Sequence, residues 1–277
     1  MSRSRFSGRV VFVTGGTSGL GAEACELFIK EGAKVFVTDL EERSILQRLG
    51  PNAHYQKCDV GVPEDCEAAV KSCVDRYGRL DALFHNAGRF TPLSTVVNQD
   101  VNIYREIINV DLNSLFYLAR VVIPQMQKQK GGSIVVTAST SGLGGDFGNS
   151  SYGAAKAGII NFARCLALDH GAEGIRVNCV CPGYMITPMT AGFRAAPDAE
   201  KLLLGSIPMS RGCTPLEVAH AVLFLASDEA SFISGQGESD YPGSADRPCF
   251  DFWDHSACSG RCYGRQVWSR KPFPMAL

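Results

Sequence analysis

From residue 9 to about residue 227, short apolar runs rich in β-branched residues alternate with stretches of helical spacing. Arg9 to Thr14 predicts a buried strand, and the segment after Gly19 predicts a helix ending near Gly32. Lys34 to Thr38 predicts a second strand with Asp39 at its end. His54 to Cys58 predicts a third strand, and Leu80 to His85 a fourth. Helical spacing fills Glu64 to Tyr77. A long helix is expected from about Asn113 to Gln129, followed by a strand at Ser133–Thr137. Another helix, from Ser151 to Gly171, leads into a strand at Ile175–Cys179. Near-continuous apolar strands separated by helices imply an α/β fold: one doubly wound parallel sheet, covered on both faces. No linker or repeat divides this part, so residues 1–236 are expected to form one domain. The pattern breaks down after Gln236, and residues 237–277 are expected to be an irregular tail.

Composition narrows the classes. The chain has 277 residues, 45% of them apolar and 20% charged, values that suit a large globular α/β domain and argue against disorder. A net charge of −1 gives no electrostatic case for nucleic acid, and no basic run suggests a membrane surface. No apolar stretch is expected to approach the roughly 20 residues that span a bilayer, and the N-terminal residues run into the first strand without a signal peptide. The eleven cysteines include Cys25, Cys73, Cys165 and Cys179 in apolar segments, where buried free thiols are expected. A reducing, cytoplasmic setting suits them best.

The candidate chemistry lies at strand ends. Thr14-Gly-Gly-Thr-Ser-Gly-Leu-Gly21 closes the first strand and opens the first helix, the context a dinucleotide fingerprint requires. Gly15 permits the tight turn, Gly19 lets the backbone approach a pyrophosphate, and Gly21 lets helix and strand pack closely. Free amides and the dipole at the helix start favour the anion. The sheet is therefore expected to be Rossmann-like. Asp39 is placed to accept hydrogen bonds from an adenosine ribose, and its charge repels a 2′-phosphate. Ser18 and Leu40 supply no basic partner for such a phosphate. This favours NAD over NADP, with Arg43 as the residue that would upset the preference. Downstream, Ser139 precedes Tyr152-Gly-Ala-Ala-Lys156. Lys156, one helical turn beyond Tyr152, places a cation near a phenol of ordinary pKa about 10 and is expected to lower it toward working pH.

These motifs, in this order, resemble those of the short-chain dehydrogenase/reductase family over roughly residues 6–236. Asp59 in Cys-Asp-Val, His85-Asn-Ala-Gly88, and Pro182-Gly183 with Thr187 extend the likeness. The resemblance implies hydride exchange between a nicotinamide cofactor and a secondary alcohol or its ketone. Tyr152 would be the general acid/base, Ser139 would hold the substrate oxygen, and Lys156 would serve both phenol and ribose. It implies catalytic roles for Ser139, Tyr152, Lys156 and Asp111. Cofactor contacts would fall on Gly15, Thr17, Ser18, Gly19, Leu20, Asp39, Asp59, Val60, Asn86, Tyr152, Lys156, Met185 and Thr187. No metal is implied, and a homo-oligomer, dimer or tetramer, would be normal.

Two departures stand out. Asp111 occupies a position where the family usually has Asn, and the register is arguable by two residues because Asn109 and Asn113 flank it. After Gly235-Gln236 the family's final strand is replaced by unrelated sequence, through an altered reading frame or a divergent tail. Loss of that strand would expose a sheet edge and undercut oligomerisation. Cys249, His255, Cys258 and Cys262 in this tail do not have a common zinc spacing.

The segment Thr137–Gly148, followed by Ala167–Gly171, resembles the butanediol (acetoin-forming) dehydrogenase branch. Phe147, Tyr184, Met185, Met189 and Phe193 would line a largely apolar pocket, with Arg194 the nearest cation. Met189 and Phe193 equally suit a stripe that packs a lid helix. A small or medium apolar secondary alcohol, including a diol or hydroxyketone, is expected. Two alternatives stay open: an NADPH-dependent reductase of a larger biosynthetic ketone, or a catalytically silent NAD-binding protein impaired by its C-terminus.

Overall fold

A computed structural model describes residues 4–239. Seven strands form one sheet: β1 (Val10–Thr14), β2 (Lys34–Asp39), β3 (Ala53–Lys57), β4 (Ala82–His85), β5 (Gly132–Thr137), β6 (Ile175–Cys181) and β7 (Gly237–Ser239). Their spatial order is β3-β2-β1-β4-β5-β6-β7, and every neighbouring pair is parallel. The order reverses between β1 and β4. A parallel doubly wound sheet opens a crevice at such a point, beyond the carboxyl ends of its strands.

Nine helices accompany the sheet among the described residues: α1 (Gly19–Lys30), α2 (Ile45–Leu49), α3 (Pro63–Tyr77), α4 (Val101–Ile108), α5 (Ser114–Lys128), α6 (Ser150–His170), α7 (Ala191–Arg194), α8 (Pro197–Gly205) and α9 (Pro215–Ala226). Strand side chains alternate between two buried layers, as the period of two requires. Phe12, Phe36, Leu83, Ile134 and Val177 pack under α3, α5 and α6. Val11, Val13, Val37, Phe84 and Val135 pack under α1, α2 and α9. Strands buried on both faces explain why they read as continuous apolar runs rather than alternating ones.

Three expectations change. The helix expected from Asn113 begins earlier, with α4, and passes through a π-helical turn, Asn109–Asn113, into α5. The run Val101–Lys128 also meets the length and hydropathy of a bilayer span, against the expectation that no stretch approaches one. Its Leu115, Leu118, Val122 and Met126 are buried in the core, which accounts for the apolarity. Cys165, expected to be buried, is exposed on α6, whereas Cys25, Cys73 and Cys179 are buried.

The tail also differs at its start. Gly237–Ser239, expected to be irregular, adds a short strand that pairs Cys179 with Gly237 and Cys181 with Ser239. The open β6 edge recruits it, because unpaired backbone groups there take whatever chain is delivered alongside. Delivery is specific: Asn178 donates to the Ile233 carbonyl at 2.8 Å and accepts from the Gln236 N–H at 3.2 Å. Arg176 donates to the carbonyls of Leu225 and Ser227 at 2.7 and 2.9 Å. Residues 240–277, including the four residues of the tail's cysteine–histidine group, lie outside the described residues.

Asn178 is fully buried, so Asn178→Ala should strand the Ile233 carbonyl and the Gln236 N–H. The expected cost is about 2 kcal/mol, read as a melting temperature roughly 4–8 °C lower. An unchanged melting curve would mean that these two bonds do not hold the sheet edge.

Candidate active site

The carboxyl ends of β1, β4, β5 and β6 deliver the site. After β1 the chain turns through Gly15 at φ 61°, where a Cβ would meet Ala87 Cα at 2.9 Å. At Gly21 a Cβ would lie 2.1 Å from the Gly15 carbonyl oxygen, so only glycine lets α1 start this close to the strand. Thr187 belongs to the same place, with Cγ2 3.5 Å from where a Gly19 Cβ would be. Ser18 caps α1 through its backbone, without a side-chain bond. Leu20 turns its side chain into the core, leaving its backbone to face the turn. The first amides of a helix lack intrahelical partners, so this turn is a cradle for an anion.

Asp39 is tied to that cradle. Its Oδ2 accepts from Thr17 N–H at 3.1 Å and Thr17 Oγ1 at 2.6 Å, and its Oδ1 from Leu40 N–H at 2.8 Å. On the next strand over, Asp59 Oδ1 accepts from Gly61 N–H at 2.8 Å, and Val60 is buried. Asn109 of the π-helical turn donates to the Gly61 carbonyl at 2.8 Å and so fixes this loop. Asn86 joins three strand ends. Its N–H donates to Thr14 Oγ1 at 3.0 Å, its amide group to the Gly15 carbonyl at 3.1 Å, and its Oδ1 accepts from Thr137 Oγ1 at 3.2 Å.

Ser139 follows β5 and is buried. Its Oγ accepts from the Ser141 N–H at 3.1 Å, and its hydroxyl lies near enough to Tyr152 to favour the phenolate. Tyr152 and Lys156 share one face of α6, with Lys156 Nζ 5.4 Å from the Tyr152 ring centroid. Lys156 Nζ donates to the Thr137 carbonyl at 3.0 Å and pairs with Asp111 Oδ1 at 3.1 Å. The π-helical turn presents Asp111 to this lysine. Such turns interrupt helices frequently at functional sites. Burial would lower Lys156, but Asp111 and Tyr152 hold it above its ordinary value. Burial raises the Asp111 carboxyl, with Lys156 and the Arg89 N–H opposing. Tyr152 differs from expectation. Burial pushes the phenol above its ordinary value, Lys156 pulls it down as its charge requires, and Asp111 pushes it up again.

The structure redistributes the expected pocket. Tyr184 is buried and donates to Glu200 Oε1 at 2.7 Å, so it anchors α8. Its ring and that of Phe193 lie 6.1 Å apart. Phe193 in turn lies 6.1 Å from Phe90, whose ring meets Tyr152 edge-on at 5.2 Å. Phe90 was not expected from the sequence. The only signal was its place two residues after Gly88. Met185 bridges to Cys213 and accepts from Thr190 Oγ1 at 2.6 Å through its carbonyl. Arg194 donates to the Thr187 carbonyl at 3.0 Å, which employs the cation nearest the pocket within the lid segment itself. Phe147 and Met189 are exposed.

The chain is similar to known proteins over most of its length. Residues 15–238 match the family described as Enoyl-(Acyl carrier protein) reductase. The chain belongs to the short-chain dehydrogenase/reductase family. It is 38% identical over 239 residues to cyclopentanol dehydrogenase of Comamonas testosteroni, covering 83% of this chain and 94% of that one. It is 35% identical over 235 residues to meso-2,3-butanediol dehydrogenase of Serratia marcescens, covering 83% and 92%. The crystal structure of levodione reductase superposes with a TM-score of 0.82 at 29% identity, covering 87% of this chain and 98% of that one. As a family member with alcohol dehydrogenases among its relatives, the protein is an NAD(P)-dependent oxidoreductase acting on an alcohol or its ketone.

Since a methyl group at Gly21 has no room beside the Gly15 carbonyl, Gly21→Ala should weaken NAD(P) binding at least about tenfold, or 1.4 kcal/mol. Calorimetric titration measures this, and an unchanged affinity would place the cofactor elsewhere.

Proposed function

We propose that this enzyme interconverts a small, apolar secondary alcohol and its ketone with NAD, and that cycloalkanols and vicinal diols are its substrate class. One observation carries the reading: a Tyr152 phenol beside Ser139, one turn from a buried Lys156 ammonium, with the Phe90 ring edge-on against it and Phe193 next to Phe90. Aromatic rings beside the reacting oxygen favour a flat or compact hydrocarbon body. Arg194 is engaged within the lid segment, and Lys156 is paired with Asp111, which disfavours a carboxylate substrate. Cyclopentanol and butanediol, named by two relatives, are a cyclic alcohol and a vicinal diol of this size.

The cradle at Gly15–Gly21, with its close backbone approach and free helix amides, fits a dinucleotide pyrophosphate. Asp39, at the end of β2, fits a ribose diol and repels a 2′-phosphate. A nicotinamide cofactor held there would supply the hydride acceptor or donor for the carbinol carbon. Thr187 and Met185 would face its amide end, and Lys156 its ribose. Ser139 holds the substrate oxygen against Tyr152 and donates to it as negative charge develops. In oxidation Tyr152 takes the alcohol proton, and the Lys156 ammonium steadies the phenolate that hydride loss requires. In reduction Tyr152 gives the proton back to the ketone oxygen.

Tyr152→Phe should reduce kcat by roughly 10²–10⁴-fold, the usual worth of a positioned acid/base, while leaving NAD affinity within about threefold. Retention of more than a few per cent of the rate, followed by NADH absorbance with cyclopentanol or meso-2,3-butanediol, would remove Tyr152 from the role. Asp39→Ala should cut kcat/KM for NAD about tenfold or more and relax the preference over NADP. If the ratio between the two cofactors stays constant, this carboxylate does not select between them.

A further inference from the structure

The Lys156 ammonium is gripped from the side away from solvent. Asp111 and Lys156 side chains are 0% and 3% exposed, with their charged atoms 3.1 Å apart. The carboxylate is itself fixed by the Arg89 N–H, at 3.0 and 3.2 Å from its two oxygens. Gly88 gives it room, since a Cβ there would meet Asp111 Oδ1 at 2.8 Å. Its oxygens meet donors, the Arg89 amide and the Lys156 ammonium, which favour the carboxylate against the rise that burial gives this group. A cation alone beside Tyr152 would favour phenolate strongly. With an anion fixed about 3 Å from that cation, the phenol meets a short dipole instead, whose field falls off faster than that of a single charge.

We propose that Asp111 is a positioning residue that sets the pH at which Tyr152 becomes a base: it keeps Lys156 charged and fixed, and partly cancels the lysine's pull on the phenol. The proposal rests on the reading of Tyr152 as general acid/base. An oxidoreductase built this way starts to oxidise alcohols only in more alkaline solution than one with a neutral group at residue 111. Its phenol stays protonated, ready to serve ketone reduction, over a wider range. The two directions remain linked through the equilibrium constant, and only their pH profiles move.

The other charged and titratable groups around this centre do not substitute for Asp111. Asp146, on the loop before α6, pushes Tyr152 in the same direction, and it is hydrogen-bonded to Ser141. Ser139 opposes both as an uncharged donor. Lys156 is faced by His85 from the end of β4, which burial first and Lys156 second bring down to about 3. Cys179 faces it from β6, a thiol that burial pushes up to about 12. Both are neutral between about pH 5 and 10. Arg89 lies on the far side of Asp111 and pairs with Glu106 at 2.8 Å.

The test is Asp111→Asn, which keeps the shape and the acceptor for the Arg89 amide and removes the charge. Phenolate absorbance is titrated against pH in the protein, subtracting the same variant carrying Tyr152→Phe. The Tyr152 midpoint should fall by at least about half a pH unit in Asp111→Asn. In parallel, kcat/KM for cyclopentanol at saturating NAD should rise along a curve displaced by the same amount. The pair Asp111→Asn with Lys156→Met, which buries no unpaired charge, guards against a variant that fails to fold. Its midpoint should lie above that of Asp111→Asn and within about one unit of wild type. A Tyr152 midpoint that is unmoved or raised in Asp111→Asn overturns the proposal. The absorbance titration needs no turnover, so absence of activity with every alcohol would count against the function and leave this result standing.

Discussion

The site depends on three strand ends being held in register at the point where the sheet order reverses. Asn86 does this with one side chain, bonding the Gly15 carbonyl on one side and the Thr137 hydroxyl on the other. Thr14 answers it, its hydroxyl accepting from the N–H groups of both Asn86 and Ala87. The two halves of the chemistry meet across this seam. The glycine turn that fits a pyrophosphate follows β1, while Ser139 and the carbonyl that holds Lys156 belong to the end of β5. Parallel strands end with unpaired backbone groups at one rim. Side-chain amides and hydroxyls satisfy those groups and, in doing so, set the distance between cofactor cradle and phenol.

Burying an ammonium is costly, and a lysine at 2% exposure needs partners to stay charged. The fold supplies them from two directions, a carbonyl of β5 and a carboxylate on the turn between α4 and α5. That turn is wound with one extra residue, and the winding serves two loops at once. Asn109 holds the Asp59–Gly61 loop from one side of it, and Asp111 holds Lys156 from the other. The Ser114 hydroxyl adds a bond to the Val110 carbonyl at 2.6 Å and meets His85 Nε2 at 2.7 Å, so the turn is pinned to the end of β4 as well. One irregular winding thus positions both the Asp59–Gly61 loop and Lys156.

Strand β7 bears on the sheet edge more than on the site. Arg176 and Asn178 keep the segment before β7 against β6 through side-chain bonds, and so the last strand begins in place although it is only three residues long. Asp111, Ser139, Tyr152 and Lys156 all precede it in the chain. Both buried layers draw their strand residues from β1, β2, β4, β5 and β6.

Much of this was legible in the chain. Strand runs such as Val10–Thr14 and Lys34–Asp39 are continuous and β-branched because both faces are buried, and that signal needs no tertiary knowledge. The glycine turn was legible as a turn too tight for a Cβ, the Tyr152–Lys156 pair as a cation one helical turn from a phenol, and Ser139 through the family resemblance. What the sequence could not contain is anything set by distant neighbours. Whether Lys156 acidifies Tyr152 depends on burial and on Asp111, forty-five positions upstream, and the balance came out opposite to the local rule. Phe90 was silent because an aromatic residue in a loop has no period to announce its contact, and the Tyr184 bond was silent because its partner, Glu200, sits on a separate element, α8. Local sterics and periodicity write themselves into sequence, whereas electrostatic balance and side-chain partnership are sums over the whole fold.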